Sequence, residues 1–125
     1  MRIRPERVAQ TLRREIAVML EAGRLRDPRL SRLISVTDVE VTGDLSLARI
    51  YVSVLASGIE RDRALDALAH ASGFVRHELA PKLGLREMPE IRFELDTSIE
   101  RGARVEEILR KLRDGEPVAD DEEGA

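Results

Sequence analysis

A long helical segment, residues 60–83, lies between two strand-like segments of this chain. Its apolar residues recur at the spacing of one helix face: Leu65, Leu68, Val75, Leu79 and Leu83. A helical connection between two strands of one sheet acts as a right-handed crossover, which makes the two strands parallel neighbours. The chain is therefore restricted to folds in which a helix crosses one face of a sheet.

The segments beside this helix alternate apolar and polar residues, as half-buried strands do. Residues 46–55 form the predicted second strand and residues 90–97 the third. In the first strand, residues 33–42, the apolar positions change parity midway, which predicts a β-bulge near Thr37–Asp38. The intervening Gly43-Asp44 predicts a hairpin turn, so the first two strands are expected to be antiparallel.

Two further amphipathic helices are predicted, one before the first strand and one after the third. Residues 5–22 begin with a proline in a first-turn position and then place five apolar residues at helical spacing. Thr97 and Glu100 have the spacing of a capping box, and a last helix follows to about residue 113. Its apolar positions are Val105, Ile108, Leu109 and Leu112. The order predicts an α+β fold, a three-stranded mixed sheet with helices packed on one face.

The formal net charge of −3 conceals an uneven distribution of charge. Residues 114–125 carry six acidic and no basic residues, and their lack of an apolar pattern predicts a disordered acidic tail. Residues 1–113, the predicted domain, hold 21 basic against 18 acidic residues, and residues 1–32 alone hold nine arginines against four acids. Such a basic body is typical of a nucleic-acid-binding protein, although solvated arginine-rich helices have the same composition. The tail is expected either to shield the basic surface or to aid solubility.

Several classes of function are excluded by what the sequence lacks. There is no cysteine, so disulfides and thiolate chemistry are impossible, and a reducing cytoplasm is expected. No apolar run is long enough for a membrane span. His70 and His77 are two helical turns apart, roughly 10 Å, which is too far to share one metal ion. No nucleophile elbow or glycine-rich phosphate loop is present, so neither an enzyme nor a cofactor is predicted.

The aromatic residues are Tyr51, Phe74 and Phe93. Phe93 is predicted on the core face, and Tyr51, on the open face of the sheet, is the one candidate for stacking on a base. Binding to nucleic acid is therefore expected to depend on phosphate and shape.

Gly73 interrupts a segment that otherwise favours a helix, at a free-energy cost of about 1 kcal/mol relative to alanine. One interpretation is a continuous helix in which the glycine permits close packing. The favoured interpretation is a kink at Ala71-Ser72-Gly73, with Ser72 capping a second half-helix whose first amides, with Arg76 and His77, meet a phosphate. Pro81 and Gly84 are expected to mark where the helix bends or ends.

The βααβ order with an α-β extension ahead of it resembles a type II KH domain, yet the chain contains no G-x-x-G and has Ala71-Ser72-Gly73 instead. Further stretches are RPERVAQTLRREIAVML at residues 4–20, DPRL at 27–30, VTDVEVTGDLSLARIYVSVL at 36–55, HASGFVRHELAPKLGLREMPEIRFELDTS at 70–98 and IERGARVEEILRKL at 99–112. In these motifs, their order and their spacing, the sequence resembles the bacterial ribosome-binding factor A family.

The resemblance implies one KH-like domain, ordered α-β-β-α-(kink)-α-β-α, in which an Ala-x-Gly kink replaces G-x-x-G. It implies a cytoplasmic, monomeric, non-catalytic factor without a cofactor that binds the immature 30S subunit and assists late 16S rRNA maturation, including 5′-end processing. The candidate rRNA contacts at the kink are Ala71, Ser72, Gly73, Arg76, His77, Lys82 and Arg86. A second candidate surface comprises Arg4, Arg7, Arg14, Arg26, Arg29 and Arg32.

The alternative is a protein-interaction module that recruits a partner chain by strand addition at the hairpin edge or on the open sheet face.

Overall fold

Three strands form one mixed sheet in the order β1-β2-β3 in this computed structural model, which describes residues 4–25, 30 and 33–116. The elements are α1 (Pro5–Glu21), β1 (Ile34–Val41), β2 (Leu47–Val54), α2 (Gly58–Leu83), β3 (Glu90–Leu95) and α3 (Ser98–Arg113). β1 and β2 are antiparallel, while β2 and β3 are parallel. The predicted α+β fold and the predicted helical crossover are therefore confirmed.

The hairpin between β1 and β2 has both predicted irregularities. The pairing register shifts between Val36 and Asp38, so Thr37 is the extra residue of a bulge. In the turn, a carboxylate oxygen of Asp44 accepts hydrogen bonds from the hydroxyls of Thr42 and Ser46, both at 2.8 Å. The hydrogen bond from Ser46 contributes most to lowering the pKa of Asp44, and the bond from Thr42 contributes next. Leu45, rather than a glycine, takes the left-handed conformation in this turn, with φ +62°.

The core lies between one face of the sheet and the first two helices. Ala48, Ile50 and Val52 point to this face from the central strand and are fully buried. α1 packs on β1 and α2 packs on β3, and together they cover the face. The helical side chains of the core include Leu12, Ile16 and Met19 from α1 and Leu68, Val75 and Leu79 from α2. The prediction that helices pack on one face is confirmed for these two helices.

The last helix, α3, does not follow that prediction. It forms no substantial interface with any other element of the described chain. Val105, Leu109 and Leu112 are 53%, 58% and 63% exposed. The apolar period of α3 is present, but no facing element covers it among the described residues. Periodicity predicted the helix correctly and its packing wrongly.

The predicted break at Ala71-Ser72-Gly73 is also wrong, because α2 continues through these residues as one helix. The hydroxyl of Ser72 donates to the carbonyl of Ala69 at 2.8 Å, so it bonds within its own helix instead of capping a new one. An added Cβ at Gly73 would meet no atom within 4 Å in the described part of the chain. Close packing therefore does not require this glycine either.

Sequence predicted the end of α2 correctly and the cap at the start of α3 incorrectly. α2 passes through Pro81, which has no N–H to donate to the carbonyl of His77, and ends where Gly84 adopts φ +61°. At the start of α3, Thr97 makes no side-chain capping bond. Instead Asp96 Oδ1 accepts a hydrogen bond from the backbone N–H of Ser98 at 2.8 Å. Gly84 is confirmed as a stop, and the predicted cap by Thr97 is wrong.

α3 ends at Arg113, and the domain boundary after residue 113 stays a prediction. The N–H of Glu116 donates to the carbonyl of Lys111 at 2.8 Å, beside Gly115 at φ +73°, and this closes the helix. Residues 117–125 of the acidic tail lie outside the described residues.

Candidate nucleic-acid interface

The exposed side of α1 carries the clearest cationic surface. Burial of Val8, Leu12 and Ile16 against the sheet fixes the rotation of the helix, so the opposite side faces solvent. Four arginines are exposed there and make no ion pair with any described residue: Arg4, Arg7, Arg13 and Arg14. Arg7 and Arg14 are two turns apart and share one face. The surface is open to an anionic partner.

Arg13 was absent from the predicted set, which contained Arg4, Arg7 and Arg14. Its position is a quarter-turn from the face that Arg7 and Arg14 share, so a narrow helical face omits it. The sequence did contain the information needed to predict Arg13. The apolar stripe centred on Val8, Leu12 and Ile16 is narrow, so position 13 is exposed.

Arg76 has a structural role in the described chain. Its Nη2 donates to the carbonyl of Met88 at 2.6 Å, and its Nε lies 3.2 Å from the carbonyls of both Met88 and Pro89. These bonds hold the loop between α2 and β3 against the helix. The guanidinium is therefore partly committed within the protein, which leaves it less free for a phosphate.

Two ion pairs join α2 to α1 and to the segment just after α1, and one of them engages Lys82, another predicted contact. Lys82 Nζ donates to Glu15 Oε2 at 2.9 Å, and this bond lowers the pKa of the Glu15 carboxyl. Arg24 and Glu78 form the second pair. Because both pairs are solvent-exposed, each contributes little to stability. Their effect is to fix how the two helices sit beside each other, with the charge of Lys82 offset by Glu15.

The outward side of α2 presents an aromatic residue that was not among the predicted site residues. Phe74 is 42% exposed and follows Gly73, which is itself exposed. His70 and His77 are exposed one turn before and one turn after Gly73–Phe74. Ala71 and Ser72 are half-buried. Phe74 lies off the face formed by Leu68 and Val75, and that offset was the signal available in the sequence.

Arg86 lies in a groove of about 610 Å³ at the amino-terminal edge of β2 and β3. The groove is lined by both signs of charge, with Arg76 and Arg86 beside Asp44, Glu87 and Glu90. The carboxylates make this groove less favourable for a phosphate chain than the outer side of α1.

Tyr51, the predicted stacking residue, lies on the open face of the sheet among paired charges. Its hydroxyl donates to Glu40 Oε1 at 3.3 Å. Burial first, and then the negative charges of Glu40 and Glu94, raise the pKa of Tyr51. Arg49 Nε is 3.4 Å from Glu94 Oε2. The hydrogen bond and the neighbouring carboxylates make this face less attractive to an anion than α1.

Three predicted contacts, Arg26, Arg29 and Arg32, lie outside the described residues. Within the described chain, no group of three or more histidines and carboxylates is arranged to hold a metal ion. None of the described helices combines the length and apolar character needed to cross a bilayer.

Comparison with known proteins identifies the class of this fold. The family model described as "Ribosome-binding factor A" matches residues 4–109. A curated ribosome-binding factor A of Acetivibrio thermocellus is 46% identical over 108 residues, which are 86% of this chain and 87% of that protein. One of Caldanaerobacter subterraneus is 42% identical over 112 residues, 90% and 91% of the two chains. The chain belongs to the ribosome-binding factor A family, and that predicted resemblance is confirmed.

Solved structures agree with this assignment. The crystal structure of ribosome-binding factor A from Thermus thermophilus superposes with a TM-score of 0.61 at 28% identity, covering 74% of this chain and 97% of that chain. Coordinates of the Thermus thermophilus factor fitted into a cryo-EM map of a 30S complex give a TM-score of 0.51 at 25% identity, covering 70% of this chain and 93% of that chain.

Proposed function

We propose that this protein is a non-catalytic, monomeric, cytoplasmic assembly factor that binds the immature small ribosomal subunit through its 16S rRNA. In this proposal it assists late maturation of that rRNA, including processing of its 5′ end. The observation that carries the proposal is the row of exposed arginines on α1 without an anionic partner among the described residues. The family, and the relative fitted into a 30S complex, support the choice of partner.

The proposed contact surface is the outer side of the helical layer. α1 and α2 cover the same face of the sheet, so their solvent sides both point away from it. Arg7 and Arg14 supply charge for phosphates on α1, and Phe74 beside Gly73 supplies an aromatic ring on α2. Phosphate contacts provide affinity without reading sequence, whereas an aromatic ring stacks on any unpaired base. This combination suits a folded rRNA with exposed nucleotides.

Such a surface acts on rRNA by selection among conformations. A protein that binds one rRNA conformation more tightly than another shifts the population by the difference in its two binding free energies. No bond is made or broken by the protein. When the mature conformation no longer presents the matching phosphates, the protein dissociates.

The test is binding to purified precursor 30S subunits across a salt series. Because affinity is expected to come from phosphate contacts, it should fall steeply as salt rises. Arg14→Glu should weaken binding and reduce the slope of log affinity against log salt by about 1. Arg92→Glu is the matched control, since it makes the same charge change on the open sheet face and should leave binding nearly unchanged.

Two results would overturn the proposal. If the affinity for the subunit did not depend on salt, phosphate contacts could not be its source. Partner capture that survives ribonuclease treatment would favour the alternative, a protein-interaction module. Strand addition at β1 is already disfavoured there, because the bulge at Thr37 disrupts the ladder of that edge strand.

A further inference from the structure

The acidic tail contains a run of four consecutive acids, Asp-Asp-Glu-Glu at residues 120–123, here the acidic run. Residues 117–125 include no basic residue, so no charge within this segment offsets these carboxylates. A carboxylate binds an arginine through the same fork of N–H donors that a phosphate uses. The acidic run therefore has the chemistry to occupy an arginine surface that is otherwise open to RNA.

The cations nearest to the acidic run along the chain are already paired. In the last turns of α3, Arg110 Nη1 lies 3.9 Å from Asp114 Oδ2, and Arg113 Nε lies 4.0 Å from Oδ1 of the same carboxylate. Lys111 Nζ lies 3.4 Å from Glu107 Oε1. Carboxylates of the same segment already offset these charges, so they attract the acidic run only weakly.

The outer side of α1 differs, because its arginines are exposed and make no ion pair with a described residue. Arg7 and Arg14 share one face and lie about 10 Å apart along the helix axis, at about 1.5 Å per residue. Four residues of extended chain span about 10 Å, at about 3.3 Å per step. The acidic run therefore matches this pair of arginines in length as well as in charge.

α3 does not hold the tail away from α1 by packing. It forms no substantial interface with another element of the described chain, so only its first turn, at Asp96 and Ser98, sets its direction. Residues 117–125 follow, and nine residues of extended chain span about 30 Å. The acidic run can therefore reach a surface beyond α3 without breaking a packed interface of the described chain.

We infer that the acidic run docks on the outer arginines of α1 and competes there with the phosphates of RNA. This inference rests on the proposed function, because the occupied surface is the proposed rRNA contact. A short RNA offers few phosphates and competes poorly with a segment of the same chain, whose effective concentration is high. A folded precursor offers many phosphates at once and displaces the run. The tail thus reduces nonspecific binding to RNA.

The first test measures docking in the full chain by energy transfer between two fluorescent labels. The chain contains no cysteine, so Gln10→Cys, exposed on α1, and Ala119→Cys, next to the acidic run, provide the only labelling sites. Transfer should be high at low salt and fall by about half at about 1 M salt, where the screening length is about 3 Å. The reference chain neutralises the acidic run through Asp120→Asn, Asp121→Asn, Glu122→Gln and Glu123→Gln. Its transfer should be low at every salt concentration.

The second test compares affinities for a labelled oligouridine at low salt. Neutralising the acidic run should tighten binding about tenfold, because several exposed ion pairs no longer occupy the arginines. The matched control makes the same change of net charge at four exposed acids without a pair in the described chain: Glu60→Gln, Asp62→Asn, Glu87→Gln and Glu106→Gln. It should tighten binding by no more than about twofold. In a chain that also carries Arg7→Gln and Arg14→Gln, neutralising the run should lose most of its effect.

Three results would overturn the inference: equal energy transfer with the charged and the neutralised run, equal tightening by the run variant and its control, or a full effect of neutralisation without Arg7 and Arg14. Equal tightening would assign the tail a role in net charge and solubility alone. The transfer measurement contains no RNA, so it distinguishes a failure of docking from a failure of the proposed rRNA contact. Circular dichroism of each variant verifies that the helices are retained.

Discussion

The first and last helices of the described chain have the same kind of sequence and opposite surroundings. α1 buries its apolar face, where Leu12 and Ile16 are fully buried, and exposes arginines. α3 exposes its apolar face, where Leu109 is 58% exposed. Both patterns have the helical period, so the period alone does not say what a face will meet. The contrast shows that one helix is built into the core of the fold and that the other is not.

The largest expected effect tests this contrast directly with one substitution in each helix. Leu12→Ala removes a fully buried side chain and should lower the free energy of unfolding by about 2–5 kcal/mol. Leu109→Ala should change it by less than about 0.5 kcal/mol, because the side chain is largely in solvent. Urea denaturation of both variants measures the difference. Comparable losses in the two would show that Leu109 is buried by the chain itself.

A glycine replacement in each kind of helix sharpens the contrast. Gly73 lies in the packed helix α2 and Gly102 in α3, and an added Cβ at either meets no atom within 4 Å in the described chain. Gly73→Ala should raise the free energy of global unfolding by about 0.5–1 kcal/mol. Gly102→Ala should leave global unfolding unchanged and slow hydrogen exchange of α3 amides, since an unpacked helix opens locally. A global gain from Gly102→Ala would place α3 in the same cooperative unit as the core.

The smallest effect concerns how the two helices begin. α1 has no side-chain cap, whereas in the first turn of α3 the N–H of Ser98 donates a hydrogen bond to the Asp96 carboxylate. The hydrogen bond from Thr37, and then those from Ser98, lower the pKa of Asp96 to about 2. A carboxyl whose pKa is lower in the folded state stabilises the fold above its unfolded pKa, and this stabilisation is lost as the pH falls towards 2.

At pH 6 the unsubstituted protein should therefore have a higher melting temperature than Asp96→Ala. The two melting temperatures should converge on acidification, with most of the change below about pH 4. Asp44→Ala is a useful comparison, since its bonds lie within the hairpin turn. A gap between the chain and Asp96→Ala that is constant with pH would mean that Asp96 acts through packing and not through its charge.

Much of the fold was predictable because its determinants are local. The parity change at Thr37–Asp38 predicted the bulge, and the turn residues predicted the hairpin. The exposed arginines of α1 followed from the same reasoning, since burial of one helix side dictates the other.

The failures involve contacts between distant residues or the absence of a partner. Arg76 bonds the carbonyls of Met88 and Pro89, which no helical spacing indicates. The hydroxyl of Ser72 could either cap a new helix or donate a hydrogen bond within its own helix. The small residues around it are compatible with both arrangements, so the sequence could not decide between them. The packing of α3 depended on a facing element, and periodicity carries no information about one.

The bulge in β1 has a consequence for the order in which the molecule is completed. It brings the hydroxyl of Thr37 to within 2.5 Å of Asp96 Oδ2, which is 59 residues later in the chain. During synthesis this hydrogen bond cannot form until Asp96, the residue directly after β3, has left the ribosome. The direction in which α3 leaves the sheet is therefore set late, after all three strands have been made.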